Sequence, residues 1–268
     1  MNELSHVLWI GGPSASGKST VGRRLARRNG LRWYSCDTRT WVHRDRAVAD
    51  VHPGVIRWAA MTVAERRAAQ DQGRRRDYLS YDRGPMVVDD LLRLPRQPLV
   101  VAEGGLAKPA VSGVGTNALW LVPPTHVRLP RLQNRGYGSR TIENALRDGR
   151  HVEQQVDDAG GLKLPACAPV DEVVTEVEER FAPLLAAGPR ARDVNERRAL
   201  LRYGNRWIVR QYKARGWFPA DPVTIVKEFD CECAHPDCDA MIERTIASFT
   251  SVPDDSSPPI LADGHTVS

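Results

Sequence analysis

Apolar and polar positions over the first 188 residues switch repeatedly between the period of a strand and that of a helix. Val7-Leu8-Trp9-Ile10 is a short unbroken apolar run suited to a buried strand, and after Ser19 the spacing turns helical, with Val21 and Leu25 one turn apart. A second strand is expected at Arg32-Trp33-Tyr34-Ser35-Cys36, after Gly30, which suits the cap of the first helix. Thr62-Val63-Ala64-Glu65 has the form of a capping box opening a polar helix. Pro85 suits a first helical position, and that helix should stop before Pro95. Leu99-Val100-Val101-Ala102, ending in Glu103-Gly104-Gly105, and Ala118-Leu119-Trp120-Leu121-Val122, halted by Pro123-Pro124, read as further buried strands. From Val170 onward, Val173, Val174, Val177, Phe181, Leu184 and Leu185 fall on one helical face, which fades at Ala186-Ala187-Gly188-Pro189. Strands alternating with helices predict an α/β fold, a parallel sheet covered on both faces in three α/β/α layers.

Past residue 188 the pattern changes. Val194 to Arg215 predicts one helix, with Leu200, Leu201, Gly204, Trp207, Ile208 and Tyr212 at helical spacing and Gly216 as its stop. Its other face is basic, carrying Arg197, Arg198, Arg202, Arg206, Arg210, Lys213 and Arg215. Val223-Thr224-Ile225-Val226 then leads into a cysteine cluster and a short segment ending near Val252. Residues 253–268, rich in Pro, Ser and Asp, read as a disordered tail. The expected organisation is thus a domain over 1–188, an accessory helix and cysteine-rich module over 189–252, and a tail over 253–268. No internal repeat is present.

The 268 residues suffice for one substantial α/β domain with an appendage. No apolar run is long enough to span a bilayer, and the amino terminus lacks the pattern of a secretory signal. Five unevenly spread cysteines do not form a disulfide framework. These features together predict a soluble, cytoplasmic protein without a membrane partner. A net charge of +5 fits anionic substrates as well as it fits nucleic acid.

The most specific chemical signal is the run Gly12, Pro13, Ser14, Ala15, Ser16, Gly17, Lys18, Ser19, Thr20, a complete G-x-x-x-x-G-K-[ST] phosphate-binding loop. It lies between a predicted strand and a predicted helix, the context in which backbone N–H groups and a helix amino terminus surround a phosphate. Lys18 would reach the β- and γ-phosphates of a bound nucleotide, and the Ser19 hydroxyl would ligate Mg²⁺. With the alternating elements around it, the loop predicts a P-loop NTPase fold.

Three further features point to phosphoryl transfer. Asp37 follows the second strand at the rim where open α/β sheets bind ligands. There it either takes the proton of an attacking hydroxyl or caps the turn at Thr38. Glu103 ends the third predicted strand, where it orients a Mg²⁺ water shell, polarises an attacking group, or merely satisfies N–H groups in the turn before Gly104-Gly105. A Walker B Asp is missing from that strand end. Arg128, Arg131, Arg135, Arg140 and Arg147 surround Gly136-Tyr137-Gly138. As a cluster they suit a hinged lid that neutralises phosphoryl charge, with Arg135, Arg140 and Arg147 as the chosen residues, although any one alone reads as a solvated surface arginine. Thr38 to Arg46 and Arg57-Trp58 combine cations with aromatic rings, which suits an anionic or aromatic substrate or simply an amphipathic helix.

Cys231, Cys233, His235 and Cys238 place three thiols and an imidazole within eight positions. A structural Zn²⁺ site needs four such ligands, and His235 competes for the fourth place with Asp237 and Asp239. Buried free thiols or a redox pair are the alternatives to zinc.

The loop at 12–20, the strand-end Asp37 and the arginines ending at Arg147-Asp148 resemble the P-loop kinase superfamily that includes shikimate, gluconate and cytidylate kinases and chloramphenicol-type phosphotransferases. Val100 to Gly104, Ala118 to Pro123 and the arginine-rich segment after them resemble uncharacterised bacterial kinase-like proteins. The resemblance covers about two thirds of the chain and implies ATP, Mg²⁺ and phosphoryl transfer to a small acceptor. The remainder is similar to a short segment of actinobacterial proteins, carried here by Asn195, Glu196, Arg202, Asn205, Cys231, Cys233, Pro236, Cys238, Thr245 and Phe249, in which His235 is not a fixed part. Two functions are therefore in view. One is an ATP-dependent kinase acting on a small hydroxylated metabolite, nucleotide or antibiotic. The other is an NTP-binding regulatory or nucleic-acid-associated protein that uses the basic helix and the cysteine module.

Overall fold

The structure, a computed structural model, describes residues 3–136, 138–213 and 225–267. A five-stranded parallel sheet forms its centre, built from β1 (Val7–Gly11), β2 (Arg32–Ser35), β3 (Val100–Glu103), β4 (Ala118–Leu121) and β5 (Lys163–Leu164) in the order β2-β3-β1-β4-β5. β1 pairs with β3 from Val7 opposite Val100 to Ile10 opposite Glu103, and with β4 from Trp9 opposite Ala118. β1 is buried throughout, as its unbroken apolar run requires. Successive side chains point to opposite faces, so the strand feeds two cores. Leu8 and Ile10 pack with Val101, Leu119 and Leu121 on one face; Val7 and Trp9 pack with Tyr34, Val100, Ala102 and Trp120 on the other.

Helices cover both faces. The first face receives α1 (Lys18–Asn29) through Val21 and Leu25, and later α10 (Val170–Ala187) through Val173, Val174, Val177 and Phe181. Burying a side chain such as Phe181 stabilises the fold by roughly 1.5–3 kcal/mol. Between β2 and β3 the chain forms α2 (Thr40–Ala49), α3 (Pro53–Ala60), α4 (Val63–Asp71), α5 (Arg75–Leu79) and α6 (Gly84–Leu92). The capping box at Thr62 and Glu65 is present, and α6 starts with its proline in the first turn and stops before Pro95. Val87 and Leu91 of α6 join the second face, while Trp41, Val55, Trp58 and Ala69 make a small core of their own. α7 (Pro109–Ser112) precedes β4; α8 (Thr125–Gln133) and α9 (Ser139–Asp158) lie between β4 and β5. Among the described residues no helix is long and apolar enough to cross a membrane.

The carboxy-terminal part consists of α11 (Val194–Lys213) and an antiparallel hairpin, β6 (Val226–Asp230) with β7 (Met241–Thr245). The expected end of the long helix at Arg215 and Gly216 lies outside the described residues. α11 rests on β2: a Cβ added to Gly204 would stand 2.9 Å from the Trp33 ring, so glycine permits the approach. Ile208 and Val209 enter the first core together with Phe229 and Ile246.

The disordered tail expected at 253–268 is not what residues 253–267 form. Arg202, buried in α11, donates to the carbonyls of Asp254, Ser257 and Pro258, and Glu232 N–H donates to the Ile260 carbonyl. Ile260 is in the core. Composition misleads here because backbone carbonyls and one apolar side chain, rather than a periodic face, hold the segment down.

Candidate functional site

The loop at 12–20 leaves the carboxyl end of β1, from which the chain crosses to β2 on one side, while the connection leaving the adjacent β3 runs to β4 on the other. Ligands of open α/β sheets bind at such a switch point. Gly12 adopts φ 137°, and a Cβ there would stand 2.3 Å from the Leu121 carbonyl oxygen, so only glycine fits. Gly17 takes the left-handed conformation that opens α1. Ala15 is left-handed as well, at φ 63°, a backbone state that costs about 1–3 kcal/mol and is concentrated at functional sites.

Lys18 begins α1 and its Nζ donates to the Pro13 carbonyl at 3.3 Å, folding back over the loop. The Ser19 hydroxyl donates to Glu103 Oε2 at 2.8 Å. Pairing of β1 with β3 in register brings Glu103 alongside Ile10 and hence next to the loop. Glu103 is fully buried, and its Oε1 has no hydrogen-bond partner among the described residues; nor has Ser16 Oγ inside the loop. Burial, reinforced by the Asp37 carboxylate, pushes the Glu103 carboxyl above its ordinary value, while Lys18 and Ser19 pull it back.

Asp37 opens a short 3-10 turn, Asp37–Arg39, just past β2, and is exposed. It lines a cleft of about 520 Å³ with Ser19, Thr20, Arg23, Thr38 and Arg135. The opposite wall is carboxy-terminal and includes Tyr212, Lys227, Asp230 and Met241.

The arginine segment divides differently from expectation. Arg128 Nε donates to the Ser14 carbonyl at 3.2 Å, and Arg131 to the Ala15 carbonyl at 3.4 Å. Arg135 reaches the cleft. Arg140 and Arg147, chosen from the sequence as lid residues, are not brought to the loop. Arg147 is exposed on α9 and donates to Asn144 of its own helix, and Arg140 approaches Gly73. Helical geometry explains the change: Arg128 and Arg131 are three apart on α8, on one face that meets the loop. That spacing was visible in the sequence and was the signal to follow.

The cysteine cluster is a second candidate site. Cys231, Cys233 and Cys238 are joined by His265, with their donor atoms all within 4.8 Å of one another. His265 Nδ1 lies 3.5 Å from Cys231 Sγ and 3.7 Å from Cys238 Sγ. Ligands of a tetrahedral zinc, at about 2.3 Å for sulfur and about 2.0–2.1 Å for nitrogen, stand about 3.6 Å apart. This Cys3His set can therefore hold a metal such as zinc. His235, the ligand chosen from the sequence, is displaced; its Nδ1 accepts from the Asp237 N–H and braces the local turn. His265 was missed because it sits 27 positions beyond Cys238, in the segment read as disordered. Burial opposes ionisation of Cys233, yet hydrogen bonding with His265, the His235 backbone and the neighbouring thiols brings it down to about 6. Arg27 of α1 holds the knuckle from outside, donating to the carbonyls of Cys231 and His235.

No protein-family model matches the chain, and it matches no curated protein.

Proposed function

We propose that the chain is an ATP-dependent kinase of the P-loop type, transferring the γ-phosphate to a small hydroxylated acceptor. The observation that carries this reading is the Ser19–Glu103 contact beside Lys18 at the amino end of α1. It gathers a hydroxyl, a buried carboxylate with one orphaned oxygen, and an ammonium around one point. Those donors fit Mg²⁺ and phosphate together, and Ser16 Oγ, buried without a partner, fits a phosphate oxygen. Mg²⁺ bound by Ser19, with Glu103 orienting its water, would offset charge on the transferring group.

The chain's own groups then have separate tasks. Loop amides and Lys18 bind the phosphates, and Arg135 at the cleft supplies a further cation. Arg128 and Arg131 hold the loop carbonyls and so fix the direction of its N–H groups. A slot of about 230 Å³ beside the loop, lined by Gly17, Val21, Arg131, Ala166, Ala168 and Val173, suits a flat base. Asp37 accepts the proton of the acceptor hydroxyl as that oxygen attacks phosphorus. An exposed carboxylate at a cleft favours a kinase over a nucleotide switch, because a hydroxyl substrate needs both a base and a pocket.

The nucleic-acid reading requires a free basic stripe on α11. Within the chain five of its six described cations are engaged: Arg202 with Glu232, Arg206 with Asp255, Arg197 with the Arg27 carbonyl, Lys213 with the Phe249 carbonyl, and Arg210 over the Trp207 ring. Arg215 lies outside the described residues. Calorimetry with ATP and magnesium, followed by a metabolite library screened for an ATP-dependent gain of one phosphate, tests the proposal. Turnover should fall at least a hundredfold in Lys18→Ala, about 2.7 kcal/mol of barrier. Absence of triphosphate binding would overturn it.

A further inference from the structure

Arg39 is the most thoroughly buried arginine of the described residues, at 1 % exposure, and it closes the same 3-10 turn that Asp37 opens. Among the described residues no carboxylate forms an ion pair with it. Aromatic rings meet its charge instead. Its guanidinium carbon lies 3.2 Å from the centre of the Trp207 ring, 4.8 Å from that of Tyr34 and 5.5 Å from that of Tyr203. Nη2 donates to the Tyr203 hydroxyl at 2.8 Å. Tyr34 belongs to β2, whereas Tyr203 and Trp207 are four apart on one face of α11. Burial pulls the guanidinium below its ordinary value, and the Tyr203 and Tyr34 side chains and the Asp90 charge oppose that pull.

The main chain on both sides of Asp37 is held as well. Cys36 N–H donates to the Glu103 carbonyl at 2.8 Å, and Arg83 donates to the Cys36 carbonyl at 2.7 Å. Thr38 Oγ1 donates to the Ser35 carbonyl at 2.9 Å and Thr40 Oγ1 to the Asp37 carbonyl at 2.8 Å. Asp37 is thus an exposed carboxylate on a backbone fixed from both directions. A general base needs that arrangement, since a misplacement of about 1 Å can cost roughly a hundredfold in rate. Docking a helix onto the sheet does not need a caged cation: an apolar side chain would pack on Tyr203 and Trp207 without desolvating a charge.

We propose that Arg39 is a positioning residue for phosphoryl transfer, its aromatic cage on α11 setting the direction of the Asp37 carboxylate. α11 then belongs to the catalytic unit rather than to an appendage. The role in transfer rests on the kinase reading; the pinning of the turn does not.

Hydrogen exchange at the Thr40 amide, which bonds the Asp37 carbonyl, reads the pin on the full chain without turnover. Exchange there should rise about tenfold in Arg39→Met and less in Tyr203→Phe, which removes one oxygen and keeps every ring. With the acceptor found by the library screen, kcat should fall roughly tenfold to a hundredfold in Arg39→Met at unchanged KM for ATP, and Arg39→Lys should recover part of it. A cycle with Asp37→Asn isolates the role: once the carboxylate is gone, Arg39→Met should change kcat little, because Arg39 acts through it. Should Arg39→Met release α11 altogether, seen as exchange rising along residues 194–213, Tyr203→Phe carries the same cycle. Additive losses, or an unchanged kcat in Arg39→Met, overturn the positioning role, and unchanged exchange at Thr40 overturns the pin. Raised exchange in a protein that binds no triphosphate and phosphorylates nothing removes the kinase reading, and the role in transfer with it, and leaves the pin.

Discussion

Replacing Arg202 by Met breaks the most deeply buried ion pair of the chain's described residues. Arg202 and Glu232 are 3 % and 0 % exposed, and the guanidinium meets both carboxylate oxygens at 2.5–2.9 Å. The same guanidinium donates to three carbonyls at residues 254, 257 and 258. In Arg202→Met the Glu232 carboxylate keeps Asn205 Nδ2 at 3.0 Å and the Ile260 N–H at 3.2 Å, both neutral donors. Leaving one charge buried and unpaired costs about 3–5 kcal/mol. The three carbonyls lie near the surface and regain water, so they add little. For a chain of this size the loss corresponds to a fall in Tm of roughly 6–20 °C. Scanning calorimetry at fixed, saturating zinc reads the effect without a change in metal linkage. The double variant Arg202→Met, Glu232→Leu should recover most of the loss, because apolar groups can replace a buried pair at little net cost. A single variant within about 1 kcal/mol of the parent, or a double variant no better than the single, would refute the buried-charge reasoning.

Three shorter predictions accompany it. Glu103 has its carboxyl raised above the ordinary 4.5, chiefly by burial, so folding favours its protonated form. The stability it contributes is full in acid and is lost as pH rises through the raised value, so Glu103→Gln should melt higher than the parent near pH 7 and equal it near about pH 4; a gain confined to acid contradicts this. His265→Ala should lower zinc stoichiometry and remove the thiolate-to-cobalt absorption of a substituted sample, whereas His235→Ala keeps both; the opposite pattern restores His235 as ligand. Gly12→Ala places a Cβ 2.3 Å from the Leu121 carbonyl at φ 137°, so triphosphate binding should disappear in calorimetry, and retained affinity would show that the loop tolerates a side chain there.

Much of the sheet was legible because its strands are short, apolar and punctuated. β1, β2, β3 and β4 coincide with the runs beginning near Val7, Arg32, Leu99 and Ala118. β5 was missed, having two residues and no apolar run of its own. Asp37 and Glu103 were legible as strand-end carboxylates, but their nearness to Ser19 comes from the β2-β3-β1 order, which no local pattern encodes. His265 was illegible for a related reason: it comes from a separate segment that meets the three cysteines only in the fold. Composition also misjudged residues 253–267, whose anchors, Arg202, Glu232 and the cysteines, lie in other segments.

The two candidate sites are joined mechanically through α1. Its amino end carries Lys18 and Ser19, and its outer face carries Arg23, Arg24 and Arg27. Arg23 meets Asp230 at 3.6 Å, Arg24 meets Asp239 at 3.4 Å, and Arg27 holds the cysteine knuckle at Cys231 and His235. One wall of the 520 Å³ cleft is therefore α1 and the β2 rim, while the other belongs to the module that carries the Cys3His set. Arg23 and Arg24 are partly exposed, so their ion pairs contribute at most about 1 kcal/mol each. Rigidity of that far wall must then come from the buried groups, Arg202, Glu232, Asn205, and the cysteine cluster. Loosening those groups widens the cleft while leaving the loop geometry fixed by Gly12 and Arg128. Under the kinase reading, loss of metal consequently weakens acceptor binding before it weakens triphosphate binding, an order that loop damage would reverse.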